Sequence, residues 1–304
     1  MIKWTDEDLL RLDRRYAEVG VPFHARPMRA AMDLLGSGTV LDVLGSPDFQ
    51  EIESTYRRLI PEVNTIWPGM GIGLATSIDR VRKVVVAIVY GQKAFSLEEG
   101  LGFSSREEWL SWCRNDSSIA AGTAFALADL FDLTYGLDEL QQSNSATKYW
   151  QMALSNLEDV TNILVSGFSV ASVLQPVCMT AELAIKGTLV YLGDDPKALG
   201  RRDIGHRHAV LAERLARMRP HRDDALIASI VSKLPDYVSS RYDGTQLTRL
   251  DVVRLALGVQ FIAASSVRRI TNRDFALELE RDQWPGPREP YFSFKLCEGG
   301  AEEA

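Results

Sequence analysis

The chain has 304 residues, of which 46% are hydrophobic and 25% are charged, as is usual for a globular protein. Its formal net charge of −7 argues against a protein that coats nucleic acid or a membrane surface by charge alone. Three widely separated cysteines form no CxxC pair, which argues against a disulfide scaffold and against a thiolate zinc site. No histidine has HExxH spacing, so we predict no metal and no cofactor.

The cellular location follows from two stretches of sequence. Residues 1–7 run straight into charged side chains, so no signal peptide is predicted. Residues 160–181 carry no charge over a membrane-spanning length, but they include many polar residues and Gly167. This composition favours two buried helices joined at the glycine. We therefore expect a cytoplasmic protein with no membrane segment.

The first 140 residues are predicted to form a helical domain of unrecognised family. Thr5 precedes three acidic residues, which favours a helix start because acids stabilise the positive end of the helix dipole. A capping box is expected over 104–108, ahead of Trp109. Helices are expected over 5–16, 28–35, 46–60 and 119–133.

Residues 67–90 allow more than one interpretation. The glycine-rich stretch 67–74 matches no phosphate-binding fingerprint, so it is interpreted mainly as a tight turn before a helix that starts near Thr76 or Ser77. Residues 84–89 have the composition of a strand. The length of the apolar run and the preceding Ser77-x-Asp79 favour a buried helix over 78–90 instead.

The remainder is predicted to be a second helical domain over 147–275, after a polar linker at 141–146. An extended tail follows over 276–304, and its last residues, 298–304, are expected to be disordered. The whole chain is therefore assigned to the all-α class. Helical runs are expected over 147–166, 168–192, 207–218, 223–242 and 248–273.

Two polar features of this second domain have ordinary explanations. Glu182 and Lys186 are four residues apart, so they share a helix face as a modest surface pair or as a polar pair at the rim of an apolar groove. Arg241, before Tyr242 and Asp243-Gly244, suits a helix C-terminus, where a cation caps the last carbonyls.

These features also occur in a recognisable order. The motifs are Tyr149-Trp150-x-x-Ala153-x-x-x-Leu157, Ala181-Glu182-Leu183-Ala184-Ile185-Lys186-Gly187, Gly205-His206-x-x-x-x-Leu211 and Ser240-Arg241-Tyr242. In this order and spacing, residues 148–273 resemble the HEPN domain family. The resemblance implies an up-and-down helical bundle that dimerises and that binds nucleotides or cleaves RNA, often in phage defence or toxin–antitoxin systems. It also implies an antitoxin or nucleotidyltransferase as a partner protein.

The resemblance leaves binding and cleavage open. Family members that cut RNA use an Arg-x(4–6)-His pair without metal, in which the histidine moves protons and the arginine stabilises the phosphate charge. Arg201 and His206 fit this spacing, with His208 and His221 as alternative histidines. However, the last long helix, where such members carry the pair, contains no histidine.

Nucleotide or RNA binding is therefore the leading interpretation. Metal-independent RNA cleavage is the first alternative, and a dimeric scaffold that presents residues 1–140 to a protein partner is the second. The basic cluster at 201–208 suits phosphate, and helix ends brought near it would add further groups. The predicted nucleotide- or RNA-binding residues are Glu182, Lys186, Arg202, Arg207, Arg241 and Tyr242.

Overall fold

A computed structural model describes residues 4–36, 46–61, 71–87, 95–140, 145–167, 170–201, 204–236 and 247–288. Helices account for 68% of the structure and strands for 6%, so the all-α prediction is confirmed as a coarse class and misses one β-hairpin. The chain divides into two compact units, residues 1–70 and 71–304. The predicted division at 141–146 lies instead inside the second unit.

The described part of the first unit is built from three helices, α1 (Asp6–Glu18), α2 (Arg26–Leu35) and α3 (Pro47–Leu59), with a 3-10 turn at Phe23–Ala25. Thr5 begins α1 with a reciprocal capping box to Asp8, and Ser46 caps α3 by accepting from the Phe49 N–H. Each helix contributes one apolar face to a shared core. The buried members of this core are Leu9, Tyr16, Met28, Ala30, Ala31, Ile52 and Tyr56.

The second unit combines a two-stranded antiparallel hairpin with four long helices and six short ones in its described part. The strands are β1 (Gly71–Ser77) and β2 (Arg80–Val86). The long helices are α6 (Ser117–Glu139), α7 (Ser145–Ser166), α8 (Ala171–Tyr191) and α12 (Arg249–Arg268). The short helices are α4 (Leu97–Gly100), α5 (Arg106–Trp112), α9 (Pro196–Leu199), α10 (His208–Met218), α11 (Asp224–Val231) and α13 (Phe275–Arg281).

The hairpin corrects two predictions, namely the helix over 78–90 and the turn before a helix near Thr76. Residues 71–77 form β1, and β2 includes residues 84–86, the first half of the run that has strand composition. A two-residue turn at Ile78 and Asp79 joins the strands, with Ile78 at φ 62°. The length of the apolar run was misleading because it spans a turn. Residues 67–70 and 88–90 lie outside the described part of the chain.

The side chain of Gln260 in α12 connects β1 to the helices by hydrogen bonds. Its Oε1 accepts a hydrogen bond from the N–H of Leu74 at 2.9 Å, and its Nε2 donates to the carbonyl of Leu74 at 3.1 Å. The same Nε2 donates to the carbonyl of Ala126 in α6 at 2.9 Å. The amide therefore satisfies the outward backbone groups of Leu74 as a neighbouring strand would.

The long helices form the core around this strand. Helices α7 and α8 pack along each other, α12 packs on α6 and α8, and the hairpin contacts α6 and α7. By length and composition alone, α8 and α12 are apolar enough to cross a membrane, but 83% of each apolar window is buried inside the protein. Gly167 follows the end of α7, as the prediction of two helices joined there requires.

Several predicted boundaries change. Helix α6 runs to Glu139 rather than 133, and residues 145–146 of the predicted linker belong to α7. The run over 223–242 ends as a helix at Val231, because Pro235 disfavours helical backbone in the residue before it; residues 237–242 lie outside the described part. Residues 275–281, mostly assigned to an extended tail, form α13, whose first turn is capped by Asp274. The last helix ends at Arg268 rather than 273. The expected disorder over 298–304 and most of the predicted linker, 141–144, lie outside the described residues.

Candidate functional site

A tight turn between α9 and α10 carries His206. The carbonyl of Arg201 accepts hydrogen bonds from the N–H groups of Ile204 at 3.0 Å and Gly205 at 2.6 Å. A Cβ on Gly205 would lie only 3.0 Å from that carbonyl oxygen, so the close approach favours glycine here. The tight turn at Gly205 therefore determines the direction in which the side chain of His206 leaves the backbone.

The imidazole of His206 lies against a buried ion pair on α8. Oε1 of Glu182 is 2.7 Å from Nζ of Lys186, and Oε2 of Glu182 is 3.1 Å from Nδ1 of His206. The side chains of Glu182 and Lys186 are 2% and 8% exposed, whereas that of His206 is 59% exposed. The interpretation of Glu182 and Lys186 as a surface pair is therefore wrong. They form a buried pair that links α8 to the turn.

His208, one of the alternative histidines, is a buried structural residue. Its Nε2 donates to the carbonyl of Cys178 at 3.0 Å, and burial lowers the pKa of the ring below its usual value. Burial likewise raises the pKa of the Cys178 thiol to about 12, with the Glu182 carboxylate adding to the effect. A neutral, enclosed imidazole that already donates to a backbone carbonyl is poorly placed to exchange protons with a polymer substrate.

His221, the other alternative, belongs to a different set of contacts. Its Nδ1 lies 3.3 Å from Oδ2 of Asp223, and its side chain is only 14% exposed. Arg214, which is correctly spaced from His221, is held by Asp194 through two contacts of 2.5 and 2.6 Å. The structure therefore brings His206, and not His208 or His221, to the surface beside Glu182 and Lys186.

The basic residues around His206 fall into two groups. Arg201 and Arg207 are exposed on either side of the turn, and Arg207 occupies the N-cap position of α10. The predicted residues Arg202, Arg241 and Tyr242 lie outside the described part of the chain. The described candidate site therefore consists of Arg201, His206 and Arg207 at the surface, with Glu182 and Lys186 beneath them.

A second charged cluster was not anticipated from the sequence. The guanidinium of Arg268, fully buried at the end of α12, contacts three carboxylates closely: Asp129 at 2.6 Å, Asp132 at 2.8 Å and Asp223 at 3.1 Å. A fourth, that of Asp274, lies 3.5 Å away. Arg288 adds two hydrogen bonds to Asp129, at 2.7 and 2.9 Å. The only sequence signal is a pair of aspartates three residues apart in the otherwise apolar α6.

The electrostatics of this arginine–aspartate cluster point to a structural role. Burial alone would lower the pKa of Arg268, but the three carboxylates raise it above its usual value. Burial raises the pKa of Asp132, while the contacts of Asp223 with His221 and Arg268 hold its pKa well below normal. Because its donors face carboxylates on α6 and at the start of α11, Arg268 links these elements to α12.

A surface cavity of about 520 Å³ lies beside this cluster, between α6 and α13. Its apolar lining includes Phe95, Phe131 and Phe275, and Asp132 forms part of its floor. The rings of Phe131 and Phe275 meet edge-on at 5.4 Å. The cavity shares no lining residue with the turn that carries His206.

Comparison with family models, curated proteins and solved structures finds no match for this chain. Within the described residues, no group of three or more His, Cys, Asp or Glu side chains is arranged to hold a metal ion. The function is therefore argued from the geometry of the turn and its supporting ion pair.

Proposed function

We propose that the helices of residues 147–275, which are part of the second unit, form a HEPN-like bundle whose turn at 201–207 binds the phosphate groups of RNA or of a nucleotide. The observation that carries this proposal is the exposed His206, anchored by the buried Glu182 and flanked by two exposed arginines. Hydrogen bonds from arginine to phosphate are charge-assisted and supply the main part of such binding. A cationic turn of this kind is also distinctive in a chain of net charge −7.

The buried pair has a supporting role in this proposal. Glu182 positions His206, and Lys186 balances the Glu182 charge, so both act through the ring rather than by touching RNA. Arg201 and Arg207 are the groups assigned to contact phosphate. The rest of the predicted set, Arg202, Arg241 and Tyr242, would extend the same surface if the fold brings them there.

RNA cleavage is the second candidate function, and the contact between Glu182 and His206 favours it. An imidazole that donates from Nδ1 to a buried carboxylate is oriented for proton transfer through its other nitrogen, Nε2. In a cleavage reaction, Nε2 would take the proton of the RNA 2′-hydroxyl, whose oxygen then attacks the adjacent phosphorus. The bond from phosphorus to the 5′-oxygen of the next nucleotide breaks, the imidazolium returns the proton to that oxygen, and a 2′,3′-cyclic phosphate remains. Arg201 would stabilise the charge that develops on the phosphate.

Binding to labelled single-stranded RNA in EDTA tests both candidates in one experiment. Fluorescence anisotropy reports binding, and a denaturing gel of the same samples reports cleavage. Arg201→Ala and Arg207→Ala are expected to weaken binding and to reduce the salt dependence by about 0.7 per lost phosphate contact. Arg217→Ala, at an exposed position near the end of α10, is the matched control and should bind as the wild type does.

His206→Ala separates the two candidates. If the protein cleaves RNA, this variant still binds but no longer cuts. If the protein only binds, intact RNA is recovered from every sample. Unchanged affinity in Arg201→Ala and Arg207→Ala, or the absence of any RNA binding together with no shift in melting temperature by nucleotides, would contradict the proposal.

A further inference from the structure

The outer edge of the hairpin offers backbone hydrogen-bonding groups to a partner. Because Ile78 and Asp79 close the hairpin, Ser77 and Arg80 form a hydrogen-bonded pair, and the type of pair then alternates along the register. Lys83, opposite Leu74, therefore lies in a non-hydrogen-bonded pair. The N–H and C=O groups of Val81, Lys83 and Val85 consequently point away from β1.

The two edges of the hairpin differ in how these groups are satisfied. On β1, the outward groups of Leu74 are bound by the Gln260 amide. On β2, no residue in the described part of the chain bonds to the backbone groups of Val81, Lys83 or Val85. Val85 also leaves 39% of its surface exposed. Helices α6, α7 and α12 also pack against β1. Within the described residues, β2 therefore offers three outward positions whose backbone groups have no hydrogen-bond partner.

The side chains of β2 give this edge a charge. The strand carries Arg80, Arg82 and Lys83 and no acidic residue. Their described partners are neutral. Arg80 donates to the carbonyl of Trp112, Arg82 to that of Leu101 at 2.9 Å, and Lys83 to the amide oxygen of Asn162 at 3.1 Å. The two guanidinium groups also lie over aromatic rings, Arg80 over Trp112 and Arg82 over Phe103. Within the described residues, none of the three forms an ion pair with a carboxylate.

A second copy of this chain fits the edge poorly. Antiparallel pairing of two β2 strands in the register that engages all three outward residues of each strand places the two Lys83 side chains directly opposite each other. Like charges in directly opposed positions destabilise a sheet. Cations on an edge strand also deter apolar strands from adding to it. An acidic strand would instead gain from both the open backbone and the positive charge.

We propose that β2 takes an extended acidic segment of a partner protein as a third strand. Main-chain hydrogen bonds to Val81, Lys83 and Val85 supply the affinity, and carboxylates facing Arg80, Arg82 and Lys83 supply the selectivity. The segment matches β2 in length, about seven residues, and covers the exposed Val85. This surface is independent of the RNA site proposed at residues 201–207.

The test uses the full chain, isotope-labelled for amide NMR, and a capped peptide of alternating glutamate and valine with about the length of β2. In the free protein, the amides of Val81, Lys83 and Val85 are expected to exchange with solvent quickly, whereas those of Arg82 and Val84 are protected. Addition of peptide to about 1 mM should shift and protect the three outward amides. If they are already protected in the free protein, or if the peptide leaves them unchanged, the proposal is wrong.

Val85→Pro and Val85→Ala form the matched pair of variants. Proline removes the outward N–H without breaking a bond to β1, because this donor faces away from the hairpin. We expect about tenfold weaker peptide binding for Val85→Pro and little change for Val85→Ala. Equal peptide affinity in the two variants would overturn the proposal. It would also be overturned if the amide signals of β1 showed that the proline variant has an opened hairpin and the peptide still bound with unchanged affinity.

Single-stranded RNA is the competing occupant. Lys83→Glu should abolish binding of the acidic peptide, since it places a carboxylate opposite carboxylates. If RNA instead shifts the β2 signals, and does so equally in Val85→Pro and wild type, the edge is a phosphate surface and not a strand acceptor. Peptide binding that persists in Arg201→Ala shows that strand addition at β2 does not depend on the RNA site proposed at residues 201–207.

Discussion

Glu182 and His206 meet between α8 and the turn before α10, with Oε2 and Nδ1 3.1 Å apart. An ionised carboxylate can only accept, so Nδ1 donates and the ring is held in one tautomer and one orientation. The other carboxylate oxygen accepts from Lys186 at 2.7 Å, which leaves both oxygens of a nearly inaccessible side chain satisfied. The orientation of the exposed imidazole is thus set by a carboxylate that is buried in the helical core.

Removal of Lys186 alone should destabilise the second unit. Lys186→Met leaves the Glu182 carboxylate buried beside His206 without its cation, and we expect a loss of about 3–5 kcal/mol in the free energy of unfolding. The double variant Glu182→Met/Lys186→Met removes both charges and should recover most of that stability. Urea unfolding measures both effects. A loss below about 1 kcal/mol in the single variant would show that the pair is effectively solvated.

The same double variant distinguishes the effect of losing the position of His206 from the effect of losing stability. Because it folds but no longer holds the ring of His206, it should cleave RNA more slowly than wild type while still binding it, whereas Arg217→Ala changes neither. A double variant with full stability and unchanged RNA behaviour would contradict the positioning role of Glu182.

Acidification should destabilise the protein through His208. Burial holds the pKa of this ring below 6.5, so the folded state binds fewer protons than the unfolded state as the pH falls through that value. The contribution to stability is therefore full above about pH 6.5 and is lost below it, with a slope of at most about 1.4 kcal/mol per pH unit.

His208→Phe removes the titrating group and provides the comparison. Urea unfolding at several pH values from about 7.5 to 5.5 should show a smaller pH dependence in the variant than in wild type. The difference between the two proteins should therefore shrink as the pH falls. Parallel curves for the two proteins would mean that His208 is protonated to the same extent in the folded and unfolded states.

Much of the helical fold can be predicted from local sequence. Thr5 and Ser46 cap helices by side-chain bonds to nearby N–H groups, and such short-range chemistry is visible in the sequence. The hairpin could not be identified in this way. Its strand β1 is held by Gln260, 186 positions away from Leu74, and local patterns carry no trace of that bond.

The candidate site shows the same limit. The sequence indicates the i, i+4 spacing of Glu182 and Lys186, but their burial depends on how α8 packs against its neighbours. It also offers three histidines of similar merit, and only their tertiary contacts distinguish His206 from His208 and His221. The arginine–aspartate cluster joins residues from four regions of the chain, so no local sequence motif predicts it.

A methyl group on Gly73 should destabilise the hairpin. A Cβ there would lie 2.4 Å from Oε1 of Gln260 and 3.0 Å from Cδ1 of Leu130, so one of these buried side chains must move. Gly73→Ala should cost about 1–3 kcal/mol and accelerate hydrogen exchange at the N–H of Leu74. Gly122→Ala, where a Cβ meets nothing within 4 Å, should instead stabilise α6 by up to about 1 kcal/mol. A tolerated Gly73→Ala would show that Gln260 can release β1 at little cost.

Replacement of Arg268 should strongly lower the free energy of unfolding of the second unit. Arg268→Met removes the cation that Asp129, Asp132 and Asp223 share, and carboxylates left buried together repel one another. We expect a loss of about 3–5 kcal/mol in urea unfolding at neutral pH, since breaking a buried ion pair from one side leaves uncompensated charge. Arg281→Met, at an exposed position in the last turn of α13, is the control and should change stability by less than about 0.5 kcal/mol.

Neutralising a carboxylate provides the decisive comparison for that cluster. Burial already raises the pKa of Asp132, so Asp132→Asn in the Arg268→Met background removes the charge that is least favourable in the folded state. The double variant should therefore be more stable than Arg268→Met alone. In the wild-type background, Asp132→Asn should instead destabilise, because Arg268 and the N–H groups of Phe275 and Ala276 lose an anionic acceptor. The same sign in both backgrounds would show that Asp132 stabilises the fold by its backbone contacts and not through Arg268.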